Sequence, residues 1–256
     1  MQGSIIYLED VTVSFDGFKA LQRLNFYMDY PELRVVIGPN GAGKTTLLDV
    51  ISGRVRPAEG RVIFGMNTDI TRLREHEIVR LGVGRKFQTP SVFNHLTVFE
   101  NLELSLYQPK RGVFATLLSP LSSRQLQSIE TVLDITGLAS KAHVPAGVLA
   151  HGEKQWLEIG MVLLQEPKLL LIDEPVAGMT DQETAHTAKL LERIAEDHSV
   201  LVIEHDMAFV RQIARKITVL HEGQVLCEGP VEVVQNDPRV VEIYLGRKRN
   251  DNSTGR

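Results

Sequence analysis

Val35-Val36-Ile37-Gly38-Pro39-Asn40-Gly41-Ala42-Gly43-Lys44-Thr45-Thr46 sets a short β-branched run against a glycine-rich turn, then a lysine and two hydroxyl residues that enter an apolar-periodic segment. Strand, turn, Gly-Lys-Thr and helix in that order make a phosphate-binding loop, GxxxxGK[ST]. Gly38, Gly41 and Gly43 tolerate dihedrals and close approach that a Cβ would block, so successive N–H groups can turn inward at an anion. Pro39, Asn40 and Ala42 fill the variable positions. A helix beginning near Gly43 or Lys44 adds its positive end, and Lys44 supplies a mobile cation for the β- and γ-phosphates. Thr45 offers a hydroxyl to Mg²⁺, with Thr46 beside it in the first turn. A nucleoside triphosphate is the predicted guest, and ATP with Mg²⁺ the predicted pair.

The rest of the composition bounds the answer. A chain of 256 residues, 43% of them apolar, with a net charge of -4, suffices for one large α/β unit with a smaller inserted lobe. Nowhere does it offer the roughly 18 to 20 uninterrupted apolar residues of a membrane span, and Met1-Gln2-Gly3-Ser4 lacks the layout of a signal peptide. One cysteine, Cys227, excludes an internal disulfide and is expected to pack inside a short strand. The eight histidines show no metal-ligand spacing, and no basic cluster stands beyond Arg247-Lys248-Arg249, so nucleic acid is not an expected partner.

Residues 5–15 alternate as a strand, with one slip between Leu8 and Val11 that a bulge at Glu9-Asp10 would explain. A second strand through Leu24, Phe26 and Met28 completes an antiparallel layer ahead of the phosphate loop. The loop's helix is predicted to stop at Ser52-Gly53. A strand at Arg61–Phe64, a polar helix over 72–80 and a strand reaching Gln88 follow. From Thr89 to about 165 the pattern is helical, near Val98–Leu106 and over 124–136, with Pro109, Gly112 and Pro120 between. Lys168–Pro175 then returns as an apolar strand buried on both faces, ending in Asp173 and Glu174. Helices over 184–195 and 207–214 alternate with strands at 199–203, 217–220 and 224–227, and Pro230 and Pro238 each open a closing helix. The predicted fold is therefore a phosphate-loop α/β core with a mostly parallel sheet, an N-terminal antiparallel β-layer and an inserted helical subdomain. The core comprises residues 1–88 and 166–256, and the subdomain 89–165.

Asp173, at a strand end downstream of the phosphate loop, suits the Mg²⁺ shell, and Glu174 beside it suits a general base that orients water. Upstream of them Leu149-Ala150-His151-Gly152-Glu153-Lys154-Gln155 resembles the LSGGQ signature of ABC-transporter ATPases. Gln88 is similar to that family's Q-loop glutamine, His205 to its switch histidine, Ala177-Gly178-Met179-Thr180 to its D-loop, and Phe15 to the aromatic on which adenine stacks. The resemblance covers nearly the whole chain. It implies a head-to-tail dimer in which each ATP lies between one subunit's phosphate loop and the other's signature. Ala150, Gly152 and Glu153 then face the partner's nucleotide, Gln88 reaches the metal, and His205 donates to the γ-phosphate. Trp156 and Met161 are expected in the core.

Four positions depart from the family's pattern: Ala150 for serine, His151 for the first glycine, Glu153 for glutamine, and Thr180 for the D-loop aspartate. The stretches Arg85–Phe93, Gln155–Met161 and Glu174–Thr180 look most like the ATPase subunits of urea importers, which are similar to those of branched-chain amino-acid importers. The resemblance implies ATP hydrolysis at the cytoplasmic face of the plasma membrane. The implied partners are transmembrane permease subunits, a second ATPase subunit, either identical or different, and indirectly a periplasmic solute-binding protein. A phosphate-loop kinase would leave residues 149–155 unexplained. An ABC protein acting on DNA or ribosomes typically has two cassettes or a long coiled-coil insertion, and this chain has neither. Docking of the permease is expected just past Gln88, at Pro90, Val92, Phe93 and Leu96.

Overall fold

The alternation at the start of the chain produces two long paired strands, β1 (Ser4–Phe15) and β2 (Phe18–Asp29). In the computed structural model, which describes residues 3–86, 91–106 and 121–243, the slip read at Glu9-Asp10 is a register shift between Leu8 and Val11. Asp10 takes φ 48° there, and its amide donates to Asn25 Oδ1 at 3.1 Å. β4 (Glu59–Phe64) joins the other edge of β1 and β5 (Thr68–Asp69) joins β4, giving the antiparallel order β2-β1-β4-β5.

β3 (Leu33–Ile37) belongs to a second sheet with β6 (Val83–Lys86), β7 (Leu169–Asp173), β8 (Ser199–Ile203), β9 (Lys216–His221) and β10 (Gln224–Gly229). Its order is β10-β9-β3-β8-β7-β6, parallel throughout except for β10, which runs antiparallel to β9. Side chains alternate across a strand, and here the two faces enter two cores. Val35, Leu170, Ile172, Val200 and Val202 face one side, while Val36, Leu169, Leu171, Leu201 and Ile203 face the antiparallel layer.

The helices cover both faces. α1 (Lys44–Ile51) ends at Ser52 and Gly53, the latter at φ 79°, as predicted. α2 (Glu75–Leu81) starts later than the expected residue 72, because Glu77 turns back to accept from the Arg74 amide at 2.9 Å and fixes the cap there. α3 (Val98–Ser105) and α4 (Ser123–Thr136) open on similar reciprocal caps, Thr97 with Glu100 and Ser122 with Gln125. α5 (His151–Leu163) carries the 149–155 stretch at its start. α6 (Asp181–Ile194) begins three residues before the expected Thr184, since Thr180 and Glu183 cap one another. α7 (Met207–Ile213) and α8 (Val231–Gln235) follow, the latter after Pro230, and residues 238–243 are helical from Pro238 onward. Apolar residues of α3, α4 and α5 are continuous with the cluster beneath the parallel sheet. Trp156 is buried, its Nε1 donating to Thr187 Oγ1 at 2.9 Å, Met161 packs against the same cluster, and Cys227 is half-buried on β10. Among the described residues no helix is long and apolar enough to cross a membrane. Gln88, Thr89 and Pro90, the stretch 107–120 and residues 244–256 lie outside the described residues.

One buried cation ties the sheet's edge to its centre. Arg34 of β3 is fully buried; its Nε lies 2.5 Å from Glu32 Oε1, and its Nη1 lies 2.8 Å from both Glu228 Oε1 and Thr218 Oγ1. Its guanidinium also sits 5.6 Å from the centre of the Phe26 ring on β2. Arg34→Ala would leave two carboxylates facing a void. The expected loss is on the order of 3 kcal/mol, read as a lowered urea midpoint at unchanged slope. A loss below about 1 kcal/mol would place Arg34 among solvent-screened ion pairs instead.

Candidate nucleotide site

In a doubly covered parallel sheet, reactive groups collect where strands end and the strand order changes direction. Here β3 lies between β8 and β9, so the carboxyl ends of β3, β8 and β7 stand side by side. Backbone bonds lock them level: the Glu174 amide donates to Ile203 O at 3.0 Å, and the Glu204 amide to Val36 O at 3.2 Å. The phosphate loop, Asp173-Glu174 and Glu204-His205 therefore emerge along one rim.

The loop itself is set by two glycines. At Gly38 a Cβ would meet Leu220 O at 2.2 Å, and at Gly43, with φ 98°, it would meet Ala20 O at 2.5 Å. No L side chain fits either place, which explains two of the three motif glycines by backbone crowding from β9 and β2. Ala42 is buried beneath the loop, while Asn40, Gly41 and Thr45 are exposed on its lip and Lys44 and Thr46 are half-buried. Lys44 Nζ donates to Gly38 O at 2.8 Å and Pro39 O at 3.0 Å, arching over the turn that it would share with an anion.

Asp173 is 6% exposed at the end of β7. Burial, and after it the neighbouring Glu174, push its carboxyl above the usual range, against Arg85 and a hydrogen bond from the Thr45 hydroxyl. A buried carboxylate in contact with a hydroxyl beside the phosphate loop is a hard-oxygen donor set of the kind Mg²⁺ takes. No cluster of three His, Cys, Asp or Glu side chains that could hold a metal ion forms among the described residues.

Glu174 adopts φ 46° and places Oε1 3.5 Å from His205 Nδ1. The structure thus brings Glu174 and His205 together, with the His205 side chain open to solvent. Glu204 was not singled out in the sequence. It is 1% exposed, and its Oε2 accepts from the His205 amide at 2.7 Å and the Asp206 amide at 3.0 Å, so a buried carboxylate shapes the turn that presents the histidine. Burial raises its pKa. Asp206 in turn caps α7 through Ala208 and Phe209. A strand ending in Glu-His-Asp carried the signal for this turn, because each carboxylate there faces a run of unpaired amides.

Phe15 is half-exposed and pairs across the hairpin with Phe18, which is 63% exposed. Phe18 lines a cavity of about 390 Å³ together with Lys19, Gln22, Asn40, Gly41 and Ala42, and Phe15 is not on its wall. A larger groove of about 840 Å³ runs past Ser128, Leu163 and Arg193 and contains none of the sequence-predicted residues, so size does not locate the site.

The 149–155 stretch opens α5 at a distance from these groups in sequence but with its first residues at the surface. Ala150 and His151 are exposed, and Ala150 caps the helix without a side-chain acceptor. Glu153 turns back to accept from the Ala150 amide at 3.1 Å and forms an ion pair with Lys141, which occupies its carboxylate within its own chain. Gly152 is buried, and a Cβ there would meet Glu183 Oε1 at 2.6 Å, so a side chain at this position would have to displace the Glu183 carboxylate, which caps Thr180. Gln88 lies outside the described residues. Its flanks carry groups that the sequence reading passed over. Arg85 Nη1 donates to Asp49 Oδ1 at 2.7 Å and to Ser52 Oγ at 2.8 Å on α1, and Lys86 Nζ lies 3.9 Å from Glu158 Oε2 on α5. Burial lowers the pKa of Lys86 and lifts that of Glu158 to about 7.

Comparison with known proteins matches this arrangement. Residues 21–177 fit the family model described as ABC transporter, and residues 224–249 fit that of a branched-chain amino acid ATP-binding cassette transporter. The high-affinity branched-chain amino acid transport ATP-binding protein LivG of Escherichia coli (strain K12) is 34% identical over 254 residues, covering 96% of this chain and 99% of its own. A probable LivG of Archaeoglobus fulgidus is also 34% identical, over 98% of this chain and 99% of its own. Among solved structures, the ADP conformation of MJ1267, an ATP-binding cassette of an ABC transporter, superposes with a TM-score of 0.83 at 32% identity, covering 95% of this chain and 99% of that one. CbiO1 from Clostridium perfringens, part of the ABC transporter complex cbiONQ, superposes at 0.79 with 26% identity, over 96% and 98%. With the family model spanning more than half its length and full-length relatives above 30% identity, this chain belongs to the ATP-hydrolysing subunits of ABC transporters.

Proposed function

We propose that this subunit energises import of branched-chain amino acids, or of a small solute handled by the same type of importer. The observation that carries the reading is the fit of residues 224–249 to the branched-chain cassette model, together with LivG relatives aligned over nearly the whole chain. The urea reading rests on the wording of Arg85–Phe93, Gln155–Met161 and Glu174–Thr180 alone and is the second candidate. Purification from native membrane identifies the permease and binding protein that accompany the chain, and proteoliposomes of that complex decide between the solutes. Leucine presented with the binding protein should stimulate ATP hydrolysis several-fold while urea does not. Stimulation by urea alone would reverse the assignment.

For the site, the proposed roles follow the rim geometry. The phosphate loop from Gly38 to Thr46 cradles the nucleotide's phosphates, with Lys44 moving from its two carbonyl acceptors to the anion. Phe15 and, on its exposure, Phe18 offer the base a platform. Thr45 and Asp173, with Gln88, hold Mg²⁺, which when bound neutralises phosphate charge. Glu174 orients and deprotonates water as general base, and His205 steadies the Glu174 carboxylate and donates to the γ-phosphate. Ala150 and Gly152 complete the partner subunit's site. Because a serine hydroxyl is missing at Ala150, that contact falls to the backbone at the start of α5. Two different ATPase subunits, rather than two copies, suit this departure.

These roles separate binding from chemistry. Lys44→Ala should weaken nucleotide binding, whereas Glu174→Gln should bind ATP normally and turn over about 10² times more slowly, the usual scale for a positioned base. Filter binding and single-turnover hydrolysis measure the two, and an unchanged rate in Glu174→Gln removes the general-base role.

The permease is proposed to dock on the exposed apolar side chains of the helical lobe. Phe93 is 53% exposed although its backbone is fixed on both sides by the buried Asn101, with 2.8 Å to its amide and 3.1 Å to its carbonyl. Val92 and Leu96 are half-buried, so they contribute to packing as well. Gly147 donates to Asn94 O at 2.9 Å, which sets the exposed Val148 on an adjoining segment and enlarges the patch. Phe93→Asp should abolish co-purification with the permease and solute uptake, and leave basal ATPase and melting temperature unchanged. Unfolding of that variant would move Phe93 into the core and the docking surface elsewhere.

A further inference from the structure

Glu158 lies two helical turns along α5 from His151, the first residue of that helix, about 10 Å down the axis at 1.5 Å per residue. It is 5% exposed, and its two carboxylate oxygens face opposite ends of one short stretch of chain. Oε2 lies 3.9 Å from the ammonium of Lys86, the last residue of β6, and Oε1 accepts from the amide of Ser91 at 3.3 Å. Lys86 and Ser91 are the residues that flank 87–90. The Lys86 side chain is fully buried and also feels Asp173, as expected from its position opposite Ile172 in the parallel register. The helix and the strand are close-packed beside this contact. A Cβ on Gly84 would meet Val162 Cγ1 at 2.6 Å.

A desolvated ion pair of this kind adds little net stability, since the loss of water roughly offsets the attraction. Apolar side chains of similar size would fill the space at least as well. What they would not do is fix two points of the chain to one point on a helix.

We propose that Glu158 is a positioning residue for ATP hydrolysis, tying both flanks of residues 87–90 to the helix whose first turn carries the 149–155 stretch. The proposal rests on the role given above to Gln88, which this tie holds in step with α5. Displacement of α5 by the partner's nucleotide or by the permease is then transmitted to Lys86 and Ser91 through the Glu158 carboxylate, and through Lys86 to the neighbourhood of Asp173.

The test uses the full chain with both charges removed together, so that the pair is replaced rather than broken. Glu158→Leu with Lys86→Met should fold with a melting temperature close to that of the parent. Its Ser91 amide should exchange about tenfold faster without nucleotide, and its kcat should fall about tenfold at a KM for ATP within about twofold of the parent. Glu158→Gln with Lys86→Met, which restores an acceptor for Ser91, should recover protection of that amide and part of kcat. Parental exchange and kcat in the folded Leu/Met variant would overturn the proposal, as would a slower rate without faster exchange at Ser91. Unfolding of both paired variants would make the contact structural and overturn it too. Gln88→Ala is the control: if that variant keeps its kcat, the role given to Gln88 fails, while faster exchange in the Leu/Met variant still registers the tie.

Discussion

Burial of the parallel sheet on both faces is the constraint from which the rest follows. Every residue of β3, β7 and β8 is buried, and the alternating side chains fill two separate apolar clusters. A polar group within such strands carries a large desolvation cost unless it is paired. Chemistry is therefore confined to strand ends, and because the order β9-β3-β8-β7 brings three carboxyl ends together, it is confined to one rim. The phosphate loop lies more than a hundred residues before Asp173-Glu174 and Glu204-His205, and the three meet there without any loop having to reach.

The exceptions to that confinement are informative. Arg34, Lys86, Glu158 and Glu204 are charged and almost wholly buried. Arg34 joins β3 to β10, Lys86 and Glu158 join β6 to α5, and Glu204 shapes the turn after β8. Each sits where one structural layer meets another or where a strand gives way to a functional turn. Apolar contacts would hold these layers together as well, but they tolerate sliding. Directional contacts, such as the Glu204 carboxylate with the His205 and Asp206 amides, do not, and at a site that needs atoms placed to within an ångström that difference has chemical consequences.

The fold was legible because its main signals are local. A β-branched run ending in Gly-x-x-x-x-Gly-Lys-Thr, an apolar run ending in Asp-Glu, and a strand ending in Glu-His-Asp each announce a strand and its functional end in fewer than a dozen residues. Even the bulge at Asp10 could be read from a single slip in alternation. Helix starts were less legible, since Thr180 and Arg74 draw their capping partners from three residues inside the helix, and a reading centred on apolar period places the start too late at one and too early at the other. Contacts such as Lys86 with Glu158 or Arg34 with Glu228 left no local trace, because sequence separation conceals them and each residue type alone suggests a solvated surface position. Gly152 shows the complementary difficulty. A glycine read as leaving room for phosphate also leaves room for the Glu183 carboxylate of the same chain, and sequence does not separate the two reasons.

α5 gathers these threads into one element. Its first residues, Ala150 and His151, are exposed and belong to the 149–155 stretch, and its middle places Trp156 against α6 through Thr187 and His186 and reaches β6 through Glu158. A helix is stiff along its axis, so force applied at Ala150 and His151 is felt at Glu158 with little loss. The absence of a serine at Ala150 then changes the meaning of this arrangement. If the start of α5 completes the partner's site as proposed, the lack of a hydroxyl there would leave the anion contact to backbone amides and the helix dipole, whose pull weakens quickly as the helix end moves away. A site completed in that way would be more sensitive to the placement of α5 than one with a side-chain donor able to follow its ligand, and the proposed tie at Glu158 would add to the apolar packing that places α5 relative to the sheet.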